Sequence, residues 1–141
     1  MNLGLLGYSA AIAFAGIGSA LGMGAAGMAT VGAWKKCYMQ NKPAPFLLVA
    51  FVGFPLSQTI YGMILMGALK AVESQATLAH LGIGLFGGIA MGFSAWMQGK
   101  AAAGASDALA ETGKGFVNYV IVLGLIETVA LFVMVFLMGN I

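Results

Sequence analysis

Charged residues are scarce in this chain of 141 residues, of which only 7% are Asp, Glu, Lys or Arg. Soluble domains carry roughly 25%, so the composition excludes a protein that exposes its whole surface to water. The six basic residues are scattered, which excludes a nucleic-acid-binding protein because such proteins need clustered Lys and Arg. The single cysteine, Cys37, excludes an internal disulfide.

Hydrophobic residues make up 61% of the chain, and its mean hydropathy is +0.99. They form four apolar runs, at about 5–33, 46–69, 78–99 and 116–138, of which the last holds one charged residue and the others none. Each run is longer than the ~20 residues that an α-helix needs to cross ~30 Å of hydrocarbon. The sequence therefore predicts an all-α membrane protein, with residues 1–141 forming a single domain of four transmembrane helices. The first run lacks the basic start of a signal peptide and is expected to be retained.

The four predicted helices form two tandem hairpins, residues 1–70 and 78–141. Five of the six lysines lie in the first and third connections, whereas the second connection carries only Lys70. The positive-inside rule places the lysine-rich connections in the cytoplasm and both chain termini outside. These five residues are Lys35, Lys36, Lys42, Lys100 and Lys114.

Small residues dominate the first and third apolar segments. In the third segment Gly84, Gly88 and Gly92 are spaced four apart and share one helix face. Such spacing lets membrane helices approach closely and gain packing energy. The first and third segments are therefore predicted to be the most tightly packed.

An internal repeat supports the two-hairpin organisation. Four small residues of the first segment recur 77 residues later, just before the third connection: Gly22, Ala25, Ala26 and Gly27 reappear as Gly99, Ala102, Ala103 and Gly104. In the second helix of each hairpin, Leu56-Ser57-Gln58-Thr59 echoes Leu125-Ile126-Glu127-Thr128 at a different offset, 69 residues, which pairs Gln58 with Glu127. The duplicated unit thus has one ionisable group for four helices.

Glu127 is the only charged residue in the last apolar segment and lies near its middle. An ionised side chain at the centre of a spanning helix costs roughly 2.5–3.5 kcal/mol on insertion scales. A residue with that cost usually has a function, which makes Glu127 the first candidate.

Other polar residues in the spans are positioned to meet this carboxylate. Pro55 breaks the second helix, because it has no N–H, and so frees a backbone carbonyl. Ser57, Gln58 and Tyr61 follow it, and Gln98 lies in the third segment. Together with Glu127 they can form a shell of oxygen atoms, which suits a hard cation such as Na⁺, or a proton.

Each of these residues also has a purely structural interpretation. The Ser57 hydroxyl can bond back to its own helical turn. Tyr61 can be a packing aromatic, and Gln98 can be an interfacial polar residue beside Lys100.

These features resemble the four-helix rotor-ring proteolipid of V-type ATPases. The resemblance covers essentially the whole chain, and it is greatest to the sodium-translocating bacterial type, often called the K subunit. It rests on the two glycine-rich hairpins, on the run from Pro55 to Gln58 and on the segment Leu125-Ile126-Glu127-Thr128. The chain departs from the typical K-subunit pattern at four positions: Phe54 replaces leucine, Leu56 replaces glycine, Ser57 replaces threonine and Met97 replaces alanine.

The resemblance implies a Na⁺ site. Its ligands would be the backbone carbonyl of Phe54, the side chains of Ser57, Gln58 and Gln98, and the carboxylate of Glu127. Tyr61 would donate a hydrogen bond to Glu127. Leu56 would add bulk near this site.

The resemblance also implies a function and a location. Identical copies would form a ring that carries Na⁺ or H⁺ by reversible binding at Glu127, coupled to ring rotation and to ATP hydrolysis in a soluble head. The chain has no P-loop and would not be an enzyme by itself, nor would it need an organic cofactor.

The implied partners are a stator membrane subunit that supplies an arginine, a central-stalk subunit and membrane lipid. A prokaryotic plasma membrane is expected rather than a vacuolar one. The alternative is a small four-helix proton-coupled multidrug antiporter; such proteins carry their acid in the first helix, and here the first segment has none.

Overall fold

The computed structural model describes residues 2–141, and within this range the chain is helical with no β-strand. Four stretches are long and apolar enough to cross a membrane, and they confirm the predicted all-α fold class with four membrane-spanning helices. One of the four is divided in two, so the α-helices number five. They are α1 (Leu6–Met39), α2 (Leu48–Gly53), α3 (Ser57–Ala71), α4 (Leu78–Thr112) and α5 (Phe116–Met138).

Two helices continue well past the apolar runs that predicted them. α1 extends to Met39 rather than to about 33, and α4 extends to Thr112 rather than to about 99. The added part of α4 is rich in alanine, the residue with the highest helix propensity. A charged residue ends an apolar run because it is costly to transfer into hydrocarbon. It does not end a helix, because the backbone hydrogen bonds of the helix can continue into water. Only three residues, 113–115, remain to connect α4 to α5.

This short connection depends on two glycines with positive φ. Gly113 has φ +67° and Gly115 has φ +91°, a region in which a Cβ is disfavoured. The Gly113 N–H donates to the Leu109 carbonyl at 2.8 Å and so closes the last turn of α4. The chain therefore reverses direction over Gly113-Lys114-Gly115.

The second span is interrupted at Pro55. Residues Phe54–Leu56 form a turn of 3₁₀ helix between α2 and α3. Pro55 cannot donate the hydrogen bond that would continue α2. The interruption falls where the other polar residues of this span begin.

α1 and α4 lie side by side with their backbones in direct contact. A Cβ added at Gly84 would overlap the backbone of Gly7, and one added at Gly99 would overlap that of Gly22. These pairs are each 77 residues apart, the spacing of the internal repeat, and the two helices therefore run parallel. The predicted tight packing of the first and third segments is confirmed. α3 packs on α1 and α5 packs on α4.

The buried residues form two apolar clusters. One lies toward the first and third connections and includes Phe51 and Leu123. The other lies toward the chain termini and includes Leu65 and Met91. Two buried polar residues, Gln58 on α3 and Gln98 on α4, separate the clusters. Along each of these two spans, the residues of one cluster precede the glutamine and those of the other follow it.

Candidate ion-binding site

Polar side chains from three helices meet between the two apolar clusters. Gln58 of α3 and Gln98 of α4 are fully buried, and Ser94 of α4 is nearly so. Glu127 of α5 is half-buried at the edge of this group. Buried amides are costly unless they are hydrogen-bonded, so their partners determine what this cluster can do.

Both carboxylate oxygens of Glu127 accept hydrogen bonds. The Tyr61 hydroxyl donates to Oε1 at 2.6 Å, and the Gln98 Nε2 donates to Oε2 at 3.1 Å. Hydrogen bonds to an ionised acceptor are roughly twice as strong as neutral ones. Side chains from α3 and α4 therefore hold both oxygens of the carboxylate in place.

The Gln98 amide connects three helices. Its Nε2 also donates to the Leu123 carbonyl of α5 at 2.9 Å, and its Oε1 accepts from Gln58 Nε2 of α3 at 3.0 Å. Both amide hydrogens and the amide oxygen are therefore in use. Gln98 is a structural link as well as a neighbour of Glu127, and it is not a simple interfacial residue.

Ser57 brings further oxygen atoms to the cluster. Its Oγ lies 3.0 Å from the Phe54 carbonyl oxygen and 3.1 Å from Gln58 Oε1. The bond to Phe54 lies within its own helical turn, as the structural interpretation expects, and the 3₁₀ turn at Pro55 makes that carbonyl accessible. Carbonyl, hydroxyl and amide oxygen atoms thus converge beside Gln98.

Ser94 belongs to the cluster although the sequence did not single it out. Its Oγ donates to the Ile126 carbonyl at 2.9 Å and accepts a longer bond of 3.4 Å from Gln58 Nε2. Ser94 lies four residues before Gln98 and so shares its helix face; that spacing was the available signal. The backbone carbonyls of Leu123 and Ile126 could not be predicted from the sequence as members of the cluster, because every residue has a carbonyl.

Hydrogen bonds join the predicted ligands and Tyr61 into this one cluster, whereas Pro55 contributes only the interruption of the helix. Leu56, which was expected to add bulk there, is 47% exposed, so much of its side chain points away from the buried amides. Among residues 2–141 no three His, Cys, Asp or Glu side chains group together as a transition-metal site requires. The oxygen atoms of the cluster are the kind of ligand that hard cations prefer.

The second hairpin can also be compared with known protein families. Residues 81–138 match the family model of the ATP synthase C subunit. This family match covers most of α4, the three-residue turn and all of α5, and it includes Gln98 and Glu127. No curated protein matches the chain. The second hairpin is therefore similar to the C subunit of ATP synthase, which is membrane-embedded and non-catalytic.

Proposed function

We propose that this chain is the ion-carrying subunit of a rotary ATPase ring, and that the ion binds reversibly at Glu127. The observation that carries the proposal is a carboxylate in mid-span that accepts two hydrogen bonds and borders a cluster of oxygen atoms. The family match over residues 81–138 supports a ring subunit over the antiporter alternative. The sequence resemblance supports a V-type complex in a prokaryotic plasma membrane.

Na⁺ is the ion that this cluster favours. The carbonyl of Phe54, the hydroxyl of Ser57 and the amide oxygen of Gln58 are already close together, and the carboxylate of Glu127 is joined to them through Gln98. Sodium is a hard cation, and all of these ligands are oxygens.

Gln98 would distinguish the ion-bound state from the ion-free state. In this structure it points its N–H at Glu127, which is the arrangement that an ion-free carboxylate needs. A half rotation of the Gln98 side-chain amide about its terminal C–C bond exchanges the positions of its oxygen and nitrogen. The amide would then present its oxygen to a bound cation. That rotation breaks both the bond to the Leu123 carbonyl and the bond accepted from Gln58 Nε2, so ion binding would compete with both interhelical bonds.

The mechanism follows from the charge on Glu127. With Na⁺ bound the site is neutral and can pass through lipid at low cost, whereas the bare carboxylate would pair with the arginine of a stator subunit. Moving one charge against 100 mV requires about 2.3 kcal/mol. Ring rotation, transmitted by a central-stalk subunit, would supply this energy from ATP hydrolysis in the soluble head.

A proton is the second candidate ion. The specific observation in its favour is that the two side chains bonded to the Glu127 carboxylate, Tyr61 and Gln98, both present hydrogen-bond donors to it and not oxygen ligands for a cation. A proton-carrying site needs little more than a carboxyl group in apolar surroundings, and under this alternative the glutamines are structural.

The test is the rate at which a hydrophobic carbodiimide modifies Glu127, measured across pH with NaCl or with KCl at equal ionic strength. The reagent attacks the protonated carboxyl, so a bound cation blocks it. Protection by NaCl alone is expected, and Glu127→Gln should remove the labelling. Labelling that falls with rising pH but ignores Na⁺ would identify a proton carrier.

Two variants test the coordination itself. Gln98→Leu and Gln58→Leu should each raise the Na⁺ concentration needed for protection by roughly 10- to 100-fold, the loss expected for one interaction with a charged group. The purified variants should still migrate as a large ring. If both variants need the same Na⁺ concentration for protection as the unaltered chain, the two amides are not Na⁺ ligands. If the unaltered chain migrates as a monomer or dimer, it does not form a ring.

A further inference from the structure

Ser19 of α1 carries a buried hydroxyl group without a hydrogen bond. The residue is 2% exposed, and its Oγ has no partner within residues 2–141. Serines in membrane helices often bond back to their own helical turn, and this one does not. A buried polar group without a partner costs free energy, so its presence here requires a physical reason.

Two close contacts define how α1 lies against the second span. A Cβ added at Gly62 would lie 2.7 Å from the Ala15 Cβ, and one added at Gly22 would lie 2.9 Å from the Pro55 Cβ. The contact that comes later on α1 comes earlier on the second span, so the two segments run antiparallel. The contacts are seven residues apart on both segments.

Ser19 and Gln58 lie at the same level between these two contacts. On α1, Ser19 is four residues from the first contact and three from the second, and Gln58 is at the same distances on the second span. Residues three and four apart share a helix face, and both residues are buried. Gln58 is therefore the buried polar side chain that α3 presents at the level of Ser19.

The Gln58 amide has other partners in this structure. Its Nε2 donates to Gln98 Oε1 at 3.0 Å and, over a longer distance of 3.4 Å, to Ser94 Oγ. Its Oε1 lies 3.1 Å from Ser57 Oγ. Both amide hydrogens are thus in use, which explains why Ser19 receives none of them in the ion-free arrangement.

Ion binding removes the shorter of these two bonds. The rotation that turns the Gln98 oxygen toward a cation brings the Gln98 nitrogen to the former position of that oxygen. Gln58 Nε2 then faces another N–H donor, and a buried donor without an acceptor is costly. Ser94 already accepts the other amide hydrogen. The Ser19 hydroxyl can accept the released one, because a hydroxyl oxygen has two acceptor lone pairs.

We propose that Ser19 accepts the hydrogen bond of Gln58 Nε2 when the ion is bound, and that Ser19 is in this way a positioning residue of the Na⁺ site. The inference rests on the proposed function. Ser19 touches neither the ion nor Glu127. It holds the Gln58 nitrogen on the side of α1, so that Gln58 Oε1 stays beside Ser57 and available to the cation. The hydroxyl is unpaired without the ion and paired with it, and this difference favours binding.

The test is Na⁺ protection of Glu127 from the carbodiimide, measured on the assembled protein. Ser19→Ala should raise the Na⁺ concentration needed for half protection about fivefold, the effect of losing one neutral hydrogen bond. Ser19→Cys should behave in the same way, since its thiol fills similar space but accepts only weakly. The control is Ser9→Ala, because Ser9 is an exposed serine of α1 that bonds to the Leu6 carbonyl of its own turn; it should leave the concentration unchanged.

Two further measurements separate positioning from a merely structural role. Without Na⁺, Ser19→Ala should unfold in mixed micelles no more easily than the unaltered chain, because the hydroxyl has no partner in the ion-free state. In a Gln58→Leu protein, Ser19→Ala should cause no additional rise in the Na⁺ concentration, because Ser19 acts through Gln58.

Three results would overturn this inference while the Na⁺ site remains. They are unchanged protection in Ser19→Ala or Ser19→Cys, a fivefold effect that persists in Gln58→Leu, and a loss of stability without Na⁺ that matches the loss of affinity. If Ser19→Ala fails to assemble, Ser19→Cys provides the same comparison. An unaltered chain that Na⁺ does not protect would refute sodium binding itself, and the role of Ser19 with it.

Discussion

Replacing Gly88 by alanine should force α1 and α4 apart. A Cβ at this position would lie 2.7 Å from the Ala10 carbonyl oxygen and 2.9 Å from that of Ala11. These distances are roughly 0.5–1 Å shorter than ordinary van der Waals contact. Both obstructing atoms belong to the backbone of α1, so no side-chain rotation relieves the overlap and the whole helix has to move.

The magnitude follows from two opposing effects. Overpacking a tight interior costs about 1–3 kcal/mol, whereas replacing a mid-helix glycine by alanine stabilises the helix itself by about 1 kcal/mol. Gly104, on the same helix, separates these effects because a Cβ there meets no atom within 4 Å. Gly104→Ala should therefore be neutral or stabilising, and Gly88→Ala should be less stable than Gly104→Ala by about 1–3 kcal/mol.

The assay is reversible unfolding in mixed micelles, followed by helical circular dichroism as the fraction of denaturing detergent rises. Gly88→Leu extends the series and should unfold at a lower fraction than Gly88→Ala. A Gly88→Ala protein as stable as Gly104→Ala would refute the backbone-to-backbone packing of α1 on α4. Equal losses in both variants would instead show that helix flexibility, rather than packing, is the reason for the glycines.

Three further substitutions test single hydrogen-bonding groups. Tyr61→Phe removes a donor to Glu127 worth about 1.5–3 kcal/mol and should speed carbodiimide labelling by roughly 10- to 100-fold at fixed pH; an unchanged rate would contradict that role. Ser94→Ala leaves the Ile126 carbonyl without its side-chain donor and should lower the free energy of unfolding by about 1 kcal/mol. Ser19→Ala removes a buried hydroxyl that has no partner within residues 2–141, so stability should stay level or rise; a clear loss would reveal an unseen bond.

The residues of the candidate site could be predicted because the spans contain so few polar side chains. Against an apolar background, Glu127 and Gln58 stand out by chemistry alone. Ser94 does not, because a single serine in a membrane-spanning helix commonly bonds back to its own helical turn. Its spacing of four residues from Gln98 puts it on the same helix face, but the rotation of α4 about its axis, which places both side chains toward α3 and α5, is what shows its part in the cluster.

The number of membrane-spanning helices could be predicted from the sequence, but not where all of them end. Hydropathy predicted four spans, and the last apolar run coincides with α5. The ends of α1 and α4 were missed because both helices continue into polar sequence, where the interhelical ion pairs of Lys36 with Asp107 and Glu111 join them. Those pairs connect residues more than 70 positions apart, and no local pattern indicates them.

The sequence by itself determined the number of spans, the interruption at Pro55 and the placing of one carboxylate in the last helix. These features depend on local causes: transfer of side chains into hydrocarbon, a missing N–H and the cost of a lone charge. The tertiary structure alone decided that α1 and α4 touch backbone to backbone, as at Gly22 and Gly99, and that Gln98 joins Gln58 to Glu127. Bonds between helices require a particular rotation and register of separate segments, and these are set only when the helices pack.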